Sequence, residues 1–330
     1  MAAIDRRVRA WAWVLRHQAS FGTKTDDEVV AMQSRQMPSN GLTDRIFGAI
    51  VPGSDVRDLS IVGPGGDIPV RIYQPQRDGN GARPLIVNIH GGGFAFGDLR
   101  MSDWLCSSVA AKVGAVVVSV DYRLAPRHQF PAAVDDCYAA LEWAADHAAE
   151  LGAGRPDDVV APSIGVMGES AGGNLSAVVC LLARDRNGPK ISHQALLYPA
   201  TDMTRTVSPS DRSLIISGPD MIAFRRMYVG DADPADPRLS PLLAADHTGL
   251  PPALIQVAEH DPLRPDGVRY ADALRAAGVP VRFTEYVGMP HGYLNFPGVC
   301  RAAPQALAEI CTEQAAALVA PARPVSGVPG

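Results

Sequence analysis

Lysine is almost missing from this chain. Of its 30 basic residues only Lys24, Lys112 and Lys190 are lysine, and the arginines are scattered rather than grouped in a block. With a formal net charge of −5 there is no basic face for nucleic acid, and no nucleic-acid partner is expected. Cysteine is also sparse. Cys106, Cys137, Cys180, Cys300 and Cys311 are odd in number, widely spaced and form no C-x-x-C pair. That argues against a disulfide scaffold or a zinc knuckle, and we expect reduced, mostly buried thiols in a cytoplasmic protein. No stretch of 18 apolar residues occurs, so no membrane span is expected. The first 20 residues lack the apolar run and the small-residue cleavage site of a signal peptide. Internal repeats are absent, and so is the G-x-G-x-x-G of dinucleotide sites.

What is present is ordinary globular material. The chain has 330 residues, 47% hydrophobic and 20% charged, enough for one large domain or two ordinary ones with a sizeable core. Residues 4–19 carry Ile4, Val8, Trp11 and Leu15 at helical spacing, and residues 25–37 suit a second short helix stopped by Pro38 and Gly41. Such a helical segment ahead of a strand-rich body often packs over it as a lid. Val56–Val62 and Ile68–Tyr73, around the turn GPGGD, read as a hairpin.

Beyond residue 84 apolar strands alternate with helical stretches. The strands are Leu85–Ile89, Ala115–Val120, Ile164–Met167, Ala195–Tyr198, Ala253–Val257 and Val281–Tyr286. The helices are Asp103–Lys112, Ala132–Ala148, Ala171–Arg184 and Pro265–Ala277. This alternation predicts an α/β fold with parallel strands covered on both faces. Residues 201–250 interrupt it with a Pro- and Asp-rich excursion holding one helix near Pro219–Tyr228, of the kind that commonly forms an active-site lid. The expected organisation is therefore cap helices over 1–45, core over 46–200 and 251–320, a cap insertion over 201–250, and a loose tail over 321–330.

The sharpest chemical signal is Gly168-Glu169-Ser170-Ala171-Gly172, between the apolar strand IGVM and the helical NLSAVVCLLAR. A nucleophilic serine needs that strand–turn–helix context, with glycines two before and two after it to clear the turn. The second signal is His90-Gly91-Gly92-Gly93 after the strand LIVNI. Consecutive glycines let backbone N–H groups face a developing oxyanion. A nucleophilic serine also needs a base and an orienting acid. Of eight histidines, His291 follows a strand and a turn downstream of the serine, where such a base belongs. For the acid, Asp261 at a strand end is favoured over Asp266, which falls in a helix first turn, and over Asp202 after an earlier strand. His260 with Asp261 has no further ligands nearby for a metal, and no metal or cofactor is expected.

Taken together, the motifs resemble those of the bacterial hormone-sensitive-lipase-like esterases, family IV of the α/β-hydrolases. The matching segments are HGGGF (His90–Phe94), DYRLAP (Asp121–Pro126), FPAAVDD (Phe130–Asp136), GESAGGNL (Gly168–Leu175), DPRLSPLLA (Asp236–Ala244), DPLRPDG (Asp261–Gly267) and PHGYLNF (Pro290–Phe296). They occur in the family's order and spacing over about residues 45–320. The resemblance implies an α/β-hydrolase fold, with an eight-stranded, mostly parallel sheet flanked by helices, its second strand antiparallel, under a helical cap. It implies Ser170 as nucleophile, His291 as base and Asp261 as acid, with oxyanion donors at Gly92, Gly93 and Ala171. His90, Gly91, Gly168, Glu169 and Gly172 support these motifs.

The resemblance further implies hydrolysis of short to medium acyl esters of small molecules through a covalent acyl-enzyme, without a cofactor. Alternatives that use the same residues are an amidase or a deacetylase of acylated metabolites. A non-catalytic ligand-binding protein on this fold should have lost a triad member. A homodimer through edge strand 281–286 is also plausible. Two letters depart from the family: Glu169 stands where Asp is usual, and Arg127 stands where Glu is usual.

Overall fold

The computed structural model describes residues 4–17, 20–34, 40–76, 83–154, 162–211 and 213–319. The expected tail over 321–330 and the end of the expected helix 25–37 lie outside them. Eight strands form one sheet: β1 (Ser54–Gly63), β2 (Gly66–Pro75), β3 (Leu85–Ile89), β4 (Val116–Val120), β5 (Ile164–Glu169), β6 (Ile191–Leu197), β7 (Ala253–His260) and β8 (Val281–Pro290). Their order is β1-β2-β4-β3-β5-β6-β7-β8, and β2 runs antiparallel to both its neighbours while the rest pair in parallel. β8 is an edge strand, as its sequence position suggested, and β1 forms the opposite edge.

The central strands β3, β4 and β5 are buried at every position. Their continuous apolar lettering follows from cover on both faces. On one face α4 (Asp103–Val113) and α9 (Ala303–Leu318) share a core with Ile86, Val117 and Met167. On the other, α5 (Ala132–Asp146), α6 (Ala171–Asp185) and α8 (Arg264–Ala276) pack over Val87, Val118 and Val166. All five cysteines are free and buried. No helix among the described residues is long and apolar enough to cross a membrane.

Of the N-terminal helices, α1 (Arg6–His17) buries Val8 in the core that α4 and α9 share, and its Ala12 is buried as well. Its Trp11 meets Phe47 and Phe296 edge-on, at centroid distances of 6.0 and 5.6 Å. The second helix, α2 (Asp26–Gln33), opens with a capping box between Thr25 and Glu28 and buries Val29 on the opposite core.

Two helices escape the sequence reading. In α3 (Gly41–Phe47), Gly41 reads as a stop, but the Asn40 side chain accepts from the Leu42 and Thr43 N–H groups and starts a helix there. In α9 the buried stripe Ala303, Ala306, Leu307, Ile310 and Gln314 is too small and mixed to stand out as a hydrophobic period. Strands β5, β7 and β8 also run beyond their expected ends, to Glu169, His260 and Pro290, so each delivers its last residue directly to the turn that matters chemically.

His193, buried in β6, is held neutral: burial pushes its pKa down to about 4, against a smaller opposing pull from a hydrogen bond with Gln314. The unfolded chain binds that proton below about pH 6.5, so this contribution to stability is full above 6.5 and is lost as pH falls toward 4. At about 1.4 kcal/mol per unit, the loss is on the order of 3 kcal/mol. His193→Gln should therefore lose less stability on acidification than the unmodified protein, read from denaturant midpoints between pH 7.5 and 4.5. Parallel midpoint curves for the two proteins would refute the assignment.

Candidate active site

β5 ends at Glu169, α6 begins at Ala171, and Ser170 is the one residue between them. Its backbone lies at φ 55° and ψ −115°, a left-handed conformation that costs a non-glycine residue on the order of 1–3 kcal/mol. The turn is held from outside: Ser170 N–H donates to Leu197 O at 2.8 Å, and Asn174 N–H donates to Ser170 O at 3.0 Å. It also closes tightly. A Cβ on Gly168 would lie 2.3 Å from Gly172 O, and one on Gly172 would lie 1.9 Å from Ile89 O, so both positions admit only glycine. The sharp reversal lifts Oγ above the end of the sheet, and Ser170 lines the cleft there.

Asp261 and His291 reach the same point from two other strand ends. Asp261 follows β7 and His291 follows β8. His291 Nδ1 lies 2.8 Å from Asp261 Oδ2, and its Nε2 lies 2.8 Å from Ser170 Oγ. The carboxylate can only accept, so Nδ1 carries the ring proton and Nε2 is left as the acceptor facing the serine. Asp261 is itself fixed, because its Oδ1 accepts from Leu263 N–H at 2.8 Å. Asp261 and His291 are both buried.

The other carboxylates lie elsewhere in the network. Asp266 sits in the first turn of α8, accepts from Thr201 N–H, and lies 2.8 Å from Arg205 Nε. Asp202 pairs with Arg269 at 2.6 Å. Of the three candidate acids, Asp261 is the one placed against the His291 ring, while Asp266 and Asp202 are paired with arginines. His247 meets the Pro241 carbonyl, a bond within the 201–250 excursion.

The glycine loop after β3 takes left-handed backbone at Gly92 (φ 116°), Gly93 (φ 59°) and Phe94 (φ 61°). Among the described residues, the N–H groups of Gly92, Gly93 and Ala171 donate to nothing within the chain. Gly93 and Ala171 line the cleft beside Ser170, and Gly92 lies one residue behind. His90 underlies the loop. Its Nδ1–H donates to Gly91 O at 2.7 Å, its ring stacks on Tyr122 at 4.4 Å, and Tyr122 O–H donates to His90 O at 3.0 Å.

Glu169, one methylene longer than the Asp usual in the family, is fully engaged by its surroundings. Its carboxylate is buried and accepts from Tyr198 O–H at 2.8 Å and from the Gly91 N–H. The Asn295 amide, turned nitrogen-first, donates to it as well. Burial raises its pKa, and these donors with the nearby histidines pull it back. Tyr198 sits just past β6 at φ 39°, and its ring meets His291 edge-on at 5.0 Å. Neither Tyr198 nor Asn295 emerged from the sequence, although PHGYLNF contains the asparagine. Arg127 is exposed, and nothing in the structure explains its reversed charge.

The cleft above Ser170 encloses about 560 Å³ of empty space, its open mouth included. Met203, Val207, Ile216, Met221, Phe224 and Leu263 supply apolar wall, and Asp202, Arg205, Arg225 and Asp266 supply charge. Most of this wall comes from the 201–250 excursion and its helix α7 (Gly218–Val229). That helix is tied to the N-terminal segment: Gly22 N–H donates to Asp220 at 3.1 Å, Ser20 O–H donates to the same carboxylate oxygen, and Arg226 pairs with Asp26 at 2.6 Å. Phe21 and Phe224 rings stand 4.7 Å apart, and the Phe224 ring covers Gly93 so closely that a Cβ there would lie 2.4 Å from it.

Residues 86–295 match the family described as alpha/beta hydrolase fold. The chain is 46% identical over 287 residues to the carboxylic ester hydrolase LipN of Mycobacterium tuberculosis, covering 83% of this chain and 72% of that protein. It is 46% identical to the carboxylesterase NlhH of the same organism, over 73% of this chain and 75% of that one. Among solved structures, the hyperthermophilic esterase of the archaeon Pyrobaculum calidifontis superposes with a TM-score of 0.81 at 35% identity, covering 97% of this chain and all of that one. An ester hydrolase from the Lake Arreo metagenome, complexed with a bipyridine phosphonate derivative, gives 0.82 at 32% identity over 95% and 98%. On motif order, sheet topology and these likenesses together, the chain belongs to the α/β-hydrolase family, among the hormone-sensitive-lipase-like esterases.

Proposed function

We propose that this carboxylic ester hydrolase cleaves short to medium acyl esters through a covalent acyl-enzyme on Ser170. The observation that carries this reading is the unbroken Ser170–His291–Asp261 relay, with both contacts at 2.8 Å, assembled from three separate strand ends. Ser170 Oγ attacks the ester carbonyl carbon, and its proton passes to His291 Nε2. Asp261 holds the imidazolium in place. The carbonyl oxygen becomes an oxyanion and takes hydrogen bonds from the Gly93 and Ala171 N–H groups, with Gly92 behind them. Collapse breaks the bond to the alcohol oxygen, which leaves with the proton from Nε2. Water then adds to the acyl carbon by the same route, and the acid departs as Oγ regains its proton. One ester and one water yield one acid and one alcohol.

Ser170→Ala should lower kcat for a soluble ester by about 10³-fold or more with the melting temperature retained, and a phosphonate should label the unmodified protein at Ser170 alone. Near-normal turnover by the alanine variant would remove the nucleophile.

The geometry separates the two acids. Asp261→Asn should cost on the order of 10²–10⁴ in kcat, because an amide in that place favours the wrong imidazole tautomer. Asp266→Asn leaves the His291 contact in place and should cost less than about tenfold. A reversal of these two results would move the acid role to Asp266.

The apolar wall of the cleft is short and interrupted by charge. We read the N-terminal segment and the 201–250 excursion, joined through Asp220 and Phe224, as the cap that sets this limit. Each methylene added to the acyl chain gains roughly 0.8 kcal/mol only while it finds apolar surface to cover. Specificity, measured as kcat/KM over a series of 4-nitrophenyl esters, should therefore peak at about two to eight carbons. An optimum at twelve or more would show that the cap does not limit the pocket.

A further inference from the structure

The charged residues lining the cleft do not cancel evenly. Asp202 is neutralised by Arg269 at 2.6 Å and further held by Thr204. Asp266 is neutralised by Arg205 at 2.8 Å. Arg205 also donates to Pro262 O at 2.8 Å. The remaining charge is Arg225, half-buried on α7, the residue after Phe224. Among the described residues its guanidinium has no carboxylate partner, and its single hydrogen bond there is a long one, 3.5 Å, to Arg205 O. Nor is Asp266 a strong counter-charge. Burial pushes its pKa up to about 6, so it holds a proton more readily than an ordinary aspartate.

Arg225, which lines both the cleft that contains Ser170 and the adjoining groove of Val207, Ile222 and Arg226, is thus the one charge of this cleft wall without a counter-ion among the described residues. A guanidinium there offers paired N–H donors in a planar fork, which suit a carboxylate or a phosphate. A neutral ester leaves it without a counter-ion when the cleft fills and water is displaced.

We propose that the substrate of this enzyme is an acidic ester, one that carries a carboxylate or phosphate a few carbons from the bond cleaved, and that Arg225 receives that acid group. The proposal rests on the reading of Ser170 as the ester-cleaving nucleophile and adds the chemical class of its substrate. The apolar residues between Ser170 and the guanidinium would cover the spacer, and Arg225 would govern specificity while taking no part in the proton transfers. The chain's overall charge of −5 does not oppose this, because distant surface charges are screened beyond roughly 8–10 Å at physiological salt.

Two matched pairs of esters test it, one for each side of the ester bond. The acyl-side pair is 4-nitrophenyl hydrogen glutarate against 4-nitrophenyl pentanoate. The alcohol-side pair is the butyrate of 4-hydroxybenzoate against that of 4-hydroxybenzamide. The quantity read is the ratio of kcat/KM for the acidic ester to that for its neutral partner. In one of the two arms this ratio should exceed one and decline as salt is raised. Arg225→Gln should lower it by about tenfold, the range of a hydrogen bond to a charged group, whereas Arg225→Lys should retain most of it. A ratio that Arg225→Gln leaves unchanged in both arms overturns the proposal while ester hydrolysis stands. Failure of the unmodified protein to cleave any of the four esters overturns both readings.

Discussion

The backbone at Ser170 stands in a conformation that its side chain disfavours, and much of the surrounding architecture holds it there. The φ of 55° persists because Leu197 and Asn174 hold the turn by hydrogen bonds and because Gly168 and Gly172 let β5, α6 and the end of β3 close to van der Waals distance. The strain orients Oγ away from the helix and toward His291. A serine in relaxed backbone at the same point would not be so directed, and the 2.8 Å contact to Nε2 depends on that direction.

Glu169, immediately before the serine, connects the parts that this turn must serve. Its buried carboxylate takes hydrogen bonds from Gly91 in the glycine loop, from Tyr198 beyond β6 and from Asn295 beyond His291. One side chain thereby joins three loops that carry, or lie against, Ser170 and His291. The longer side chain at this position does not disturb the site, since its donors come from loops that pack around it.

The N-terminal segment and α7 meet the body at the glycine loop itself. Phe224 lies flat over Gly93, and Phe21 packs on Phe224 while Ser20 and Gly22 hold the Asp220 carboxylate. The wall of the cleft and the glycine loop are consequently one packed unit, with the Phe224 ring in direct contact with Gly93. Arg225, the next residue, places a cation in the same cleft.

Local sequence determined a good deal. Apolar strand lengths and helical periods marked all eight strands and most helices, because burial on both faces leaves uninterrupted hydrophobic letters. The turn at Ser170 was legible because only glycine tolerates the approaches found at residues 168 and 172. His291 and Asp261 stood out for their positions at strand ends. What escaped was set by packing between distant segments. Helix α9 is alanine-rich, and its buried face is defined only by the sheet and α4 beneath it. The bonds of Tyr198 and Asn295 to Glu169 join residues 29 and 126 positions apart, and no local period encodes them. Charge in the cleft was decided in the same way. No local pattern encodes the pairing of Asp202 with Arg269 or of Asp266 with Arg205, nor that Arg225, which lines the cleft, has no counter-ion among the described residues.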